Sequence, residues 1–222
     1  AKILNNIAII EKTKGDHEAA LRDYLKVLEI RRRAYDPDHP EIGATLCNLG
    51  NLYLAMGRYE DAIKHYDEAL EIYGRSLSPD SELLARVHYN VGVSHHLDKR
   101  YEDAIASYRR ALAAGESIYP ADHPEVAYPL AGLGSALVEL GRYAEALEPL
   151  ERALAIRSRK EVPPVDIGEI RFALARALPS DAHARALALA EEAARDYEAI
   201  GDAATAAQIK TWLIEQGDAA RD

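Results

Sequence analysis

The sequence has little cysteine, few bulky aromatics and no long apolar run. Cys47 is the only cysteine, so no internal disulfide can form, and a reducing compartment such as the cytoplasm is the expectation. Phe and Trp occur once each while Ala and Leu are abundant, which suits a helical protein built on small-residue contacts. No stretch approaches the roughly 18 apolar residues of a membrane span, and no secretory signal opens the chain. Positive charge is outweighed: the formal net charge is −10, which argues against a nucleic-acid or anionic-membrane partner. No Gly-rich phosphate loop, H-E-x-x-H or G-x-S-x-G appears. No catalytic residues, metal site or cofactor are therefore expected, and the chain reads as a non-enzyme.

What the sequence does have is a repeat. Gly57-Arg58-Tyr59-Glu60-Asp61-Ala62 returns as Lys99-Arg100-Tyr101-Glu102-Asp103-Ala104 and as Gly141-Arg142-Tyr143-Ala144-Glu145-Ala146, with a weaker copy at Gly15 to Ala20. The closing alanines fall at 20, 62, 104 and 146, a period of 42 without a slip. A fixed period of that size means stacked copies of one supersecondary unit, each burying its apolar face on its neighbours. Apolar residues at 3, 4, 7 and 10 begin a helical face, and helix pairs follow in every repeat. The linkers Asp36-Pro37-Asp38-His39-Pro40-Glu41 and Pro120-Ala121-Asp122-His123-Pro124-Glu125 read as a turn and then a helix start, with Pro at the first helical position. Pro129 and Pro149 fall inside the pattern, where a kink or a late helix start is expected. Val162-Pro163-Pro164 reads as a rigid linker, with the next helix from Ile170 to Leu178.

Counting each repeat from 1, positions 8 and 20 hold Gly or Ala where two helices cross, and Tyr66 and Tyr108 fill the space beside them. This pattern resembles the tetratricopeptide repeat (TPR). The 42-residue period and the Asp-His-Pro-Glu linkers look like the long repeats of kinesin light chains. Arg171-Phe172-Ala173-Leu174-Ala175-Arg176-Ala177-Leu178 and the closing Trp212-Leu213 resemble the TPR tails of bacterial serine/threonine protein kinases. The resemblance implies an all-α fold: a right-handed TPR superhelix (α-solenoid) of about five helix-turn-helix repeats plus a C-terminal capping helix. The repeats fall at about 1–42, 43–84, 85–126, 127–167 and 168–202, with the cap at 203–222. Trp212 is expected to close that end near Leu189 and Ala193. Ala1 already sits within a helical pattern, so the chain reads as part of something longer.

Asn6, Asn48 and Asn90 all occupy position 6. Asn costs roughly 0.5–0.7 kcal/mol against Ala inside a helix, so each needs a compensating hydrogen bond. One reading is a ladder whose carboxamides grip an extended peptide; the other is a set of bonds that hold the stack. The resemblance to kinesin-light-chain repeats favours the groove. Lys2, Asn51, Arg86, Tyr89 and Tyr128 flank the ladder, a mildly basic lining that suits an acidic peptide. The expected partner is thus a protein or peptide ligand, with no nucleic acid and no membrane. Self-assembly, as a homodimer through the N-terminal edge of Ile3, Ile7 and Ile10, is one alternative. The regulatory tail of a kinase is another. Among the histidines, His95 and His96 point to different faces and His88 lies seven residues from His95, so a structural role is expected for the set.

Overall fold

The computed structural model describes residues 1–159 and 164–219. Among them are eleven α-helices and no strand: α1 (Lys2–Thr13), α2 (His17–Ala34), α3 (Pro40–Ala55), α4 (Tyr59–Ser76), α5 (Glu82–Leu97), α6 (Tyr101–Ile118), α7 (Pro124–Glu139), α8 (Tyr143–Arg157), α9 (Pro164–Ala177), α10 (His183–Ala199) and α11 (Ala203–Ala219). The all-α architecture of stacked helix pairs expected from the period is borne out among the described residues. The chain forms two compact units, Ala1–Ile118 and Tyr119–Asp222.

In the first unit, α1–α2, α3–α4 and α5–α6 are packed pairs, and α2 seats α3 as α4 seats α5. The crossing inside each pair depends on glycine. A Cβ on Gly50 would lie 2.5 Å from the Tyr66 ring, and one on Gly92 would lie 2.7 Å from Tyr108. Tyr66 is fully buried, so the absent side chain at position 8 is the space that the tyrosine fills. The turn between paired helices takes a left-handed residue, Gly57 at φ +70 in the second repeat; in the third repeat Lys99 adopts φ +60 in its place.

Two of the linkers share one device. The Tyr35 and His39 rings stack at 4.0 Å, and His39 Nδ1 accepts the backbone N–H of Glu41 at 3.2 Å, capping α3. Tyr119 and His123 stack at 4.3 Å in the second unit, and His123 caps α7 in the same way. In the middle linker Ser81 takes the cap, accepting the N–H of Leu83 at 3.3 Å.

The second unit departs from expectation at its prolines. Pro129 and Pro149 lie inside α7 and α8, and neither delays its helix, which starts at Pro124 or Tyr143. Both rings are buried, so packing offsets part of the lost backbone bond. The fifth pair also begins earlier than Ile170. Pro164 opens α9, a position where its missing N–H costs nothing; Val162 and Pro163 lie outside the described residues. Arg171 ties α9 to α10 through Glu192 at 2.9 Å and through Asp196. Trp212 of α11 joins the cluster that contains Leu189 and Ala193, and its ring meets Phe172 edge-on at 5.7 Å. Asp202 starts α11 by accepting the backbone N–H of Thr205 at 3.0 Å and its hydroxyl at 2.7 Å. Those bonds hold the Asp202 carboxyl below its usual range.

Candidate functional site: the asparagine strip

The helices α1, α3 and α5 of the first unit carry the candidate residues at corresponding turns. Asn48 donates a carboxamide N–H to the side-chain oxygen of Asn5 at 3.1 Å. Asn90 does the same to Asn51, also at 3.1 Å. The Asn51 oxygen additionally accepts the Tyr66 hydroxyl at 2.6 Å. These bonds run from one repeat to the preceding one, as the reading in which the asparagines hold the stack expects. Asn48 and Asn90 each spend one N–H on the preceding repeat and keep a second N–H and a carbonyl. Asn6 is exposed and makes no side-chain hydrogen bond among the described residues.

This bookkeeping orients the remaining groups. The Asn51 oxygen accepts two bonds and the Asn5 oxygen one, so both offer amide donors, whereas Asn48 and Asn90 retain open acceptors. All four are half-buried, and none of their unpaired polar atoms is closed off from solvent. Asn5 is the chain neighbour of Asn6, and only the structure shows it as the partner of Asn48.

At the α1 end the strip opens into a cleft of about 610 Å³ lined by Lys2, Asn5, Asn6 and Asn48 together with Arg31, Tyr35, His39 and Glu41. Arg31 is nearly buried; its guanidinium donates to the Glu41 carbonyl at 2.9 Å and to the Thr45 hydroxyl at 2.6 Å, and it pairs with the Glu41 carboxylate. It is thus a wall of the cleft. Lys2 is exposed and forms no ion pair among the described residues. Lys2, Asn6 and Asn48, named together from the sequence, all line this cleft, whereas the sequence singled out neither Tyr35 nor the linker residue His39 for it. The recurrence of Tyr-x-x-x-His at 119–123 was the available signal.

The remaining candidates are spread out. Arg86 is exposed on α5 and close enough to Cys47 and Tyr73 to favour their ionised forms. Tyr89 is half-buried, with its ring 5.9 Å from Tyr108. Tyr128 belongs to the second unit, where the Arg157 guanidinium lies 4.2 Å from its ring centroid. Among the described residues no cluster of three or more His, Cys, Asp or Glu could hold a metal. No helix among them is long and apolar enough to cross a membrane.

The family profile of the tetratricopeptide repeat matches residues 1–75, 41–117 and 83–159. The chain belongs to the tetratricopeptide repeat family. Such repeats are scaffolds for protein interaction and are typically non-catalytic. Solved structures agree on the fold. The repeats resemble those of a kinesin light chain of Podosopora anserina with nearly identical TPR-like repeats, 19% identical over 99% of this chain and 95% of that one, TM-score 0.64. BtubC (BKLC) from P. vanneervenii is 22% identical over 98% of this chain and 80% of its own, TM-score 0.68. The apo form of RapI superposes with TM-score 0.80 at 16% identity, over 96% of this chain and 80% of that one. The long TPR of kinesin-light-chain type is the kind of repeat that the 42-residue period implied. No curated protein matches the chain in sequence.

Within this TPR unit, the strip has no charge of its own, and Lys2 and Arg31 line the cleft at its α1 end. Chemically it can exchange hydrogen bonds with main-chain amides, and it holds no nucleophile–base pair.

Proposed function

We propose that the α1–α3–α5 face of the first unit binds an extended segment of a partner protein through its main chain. The observation that carries this reading is the polarised pairing of Asn5 with Asn48 and of Asn51 with Asn90. Each pair sets a donor beside an acceptor, the combination that one extended residue presents in return. Such bonds contribute about 0.5–1.5 kcal/mol each, so the strip supplies on the order of 2–4 kcal/mol. Micromolar binding needs about 8 kcal/mol, and the rest falls to Lys2, Arg86, Tyr89 and the cleft. Lys2 and Arg86 make the segment acidic, since neither has an ion pair among the described residues. Tyr128 offers the second unit a contact of its own. The module is non-catalytic in this reading, a regulatory or scaffolding part of a larger bacterial protein in the cytoplasm.

The test is a peptide array of extended acidic and neutral segments, followed by titration of the best binder. Asn48→Ala and Asn90→Ala should each weaken it about tenfold, the equivalent of about 1.4 kcal/mol. An array without a binder, or a binder indifferent to both substitutions, overturns the proposal.

A second reading, self-association, is favoured by α1. Ile3, Ile7 and Ile10 are 78%, 42% and 54% exposed, whereas Thr45, Leu49 and Leu52, one period later, are 0% exposed. A second copy of the chain would cover this face. Light scattering at two concentrations decides it: a mass that stays monomeric at high concentration sinks the dimer.

A further inference from the structure

The third repeat breaks the apolar rule of its neighbours at two core positions. Positions 4 and 11 are Leu46 and Tyr53 in the second repeat and Leu130 and Leu137 in the fourth, all buried. In the third they are His88 and His95, seven residues apart and so on one face of α5. His95 is 8% exposed, and its Nδ1 is buried without a hydrogen-bond partner. His88 is half-buried.

The charges around the two rings come from every side. Asp67 of α4, Asp98 after α5, Arg100 in the turn and Asp103 of α6 act on His95. Arg110 of α6 acts on His88 and also on Asp67. Burial pushes both imidazoles below the ordinary histidine value, helped by Arg100 at His95 and by Arg110 at His88. The three carboxylates pull His95 the other way and do not overcome burial.

We propose that His88 and His95 make α5 an acid-sensitive helix, whose seat between α4 and α6 loosens when the two rings take up protons. The direction follows from linkage. Above about pH 6.5 the rings are neutral in folded and unfolded chains alike. As pH falls below that value the unfolded chain binds protons first, so stability is lost until the folded rings titrate too. An imidazolium at His95 would bring a second N–H into a site that offers Nδ1 no acceptor. Asn90 rides on the same helix, so its bond to Asn51 lies downstream of the loosening.

The experiment uses the full chain. Melting temperature and amide exchange, corrected for intrinsic rates, are measured at pH 7.5 and 5.5 for wild type and for His88→Leu/His95→Tyr. These are the residues of the second repeat, and six other histidines remain as a common background. Wild type should lose at least about 3 °C more than the variant, and protection should fall more in 82–97 than in 40–55. His95→Gln, which cannot titrate, should show a reduced loss and serves if the double variant folds poorly. An equal loss in wild type and the non-titrating variants, or no loss in wild type, overturns the proposal.

Discussion

Asn51 receives two hydrogen bonds on one oxygen, from the Tyr66 hydroxyl at 2.6 Å and from the Asn90 carboxamide at 3.1 Å. One atom therefore joins a core tyrosine of its own repeat to the first helix of the next. Replacing Asn51 by Ala removes the acceptor of both donors. An orphaned buried polar group costs about 1–3 kcal/mol, less the few tenths that Ala regains as the better helix former. The expected result is a lower midpoint in urea, with part of the loss recovered by adding Tyr66→Phe, because the hydroxyl then no longer needs a partner. A double-mutant cycle with no coupling would show that the bond contributes nothing.

Lys99 stands where the first, second and fourth repeats place Gly15, Gly57 and Gly141. Its φ of +60 matches those of Gly57 and Gly141, at +70 and +71. A side chain in that region costs roughly 1–2 kcal/mol. Lys99→Gly should thus raise the melting temperature by several degrees despite the added freedom of the unfolded chain. A fall would mean that the lysine side chain holds the turn by a contact worth more than the strain.

Much of this was legible in the sequence because a period of 42 fixes which residues are equivalent. Equivalence alone gave the helix pairs and the Gly-against-Tyr crossings. It could not give the asparagine pairing. Position 6 meets position 5 of the preceding repeat in Asn48–Asn5 but position 9 in Asn90–Asn51. Residues four apart on a helix present neighbouring side chains to the same partner, so either register fits and only coordinates choose. The late helix start expected at Pro129 and Pro149 is absent for a different reason. The lost bond of Pro129 is visible in the sequence, while the burial of its ring is a tertiary fact. Pro164 reads as linker in the sequence because two prolines in a row favour extended chain, whereas a proline at the first helical position loses no needed donor.

At the other end of the chain, Trp212 and Phe172 meet edge-on at 5.7 Å. We propose that α11 acts as a cap, since the cluster beneath it is built from Ala186, Ala190, Ala193 and Ala194, small side chains that need a large one to cover them. Trp212 is only half-buried, so Trp212→Ala should cost less than the 3–5 kcal/mol of a fully buried aromatic, about 2 kcal/mol. Deleting 203–222 should cost more and expose apolar surface. Calorimetry with light scattering checks both. A truncated chain that stays monomeric with an unchanged melting temperature removes the cap from the account.

Cys47 gives a prediction with an explicit pH scale. Burial pushes its thiol up from an ordinary value near 9 to about 11, while the Tyr73 hydroxyl at 4.0 Å and the Arg86 guanidinium pull it down by less. Tyr66 and Tyr73 beside it are also raised by burial. At pH 8 the folded protein then holds about one thiolate per thousand molecules, against about one in ten when unfolded, and the thiolate is the nucleophile. Labelling by a disulfide reagent should be about a hundredfold slower in the native protein than in urea. The same shift has a stability consequence. A group whose folded value is raised stabilises fully below its unfolded value and loses that contribution as pH rises towards the folded one. The first unit should therefore weaken from about pH 9 upward, with Cys47→Ala reducing the slope. Arg86→Ala withdraws an attraction for the thiolate and should slow labelling further. Rapid stoichiometric labelling of the folded chain at pH 8 would refute the raised thiol of this half-buried residue.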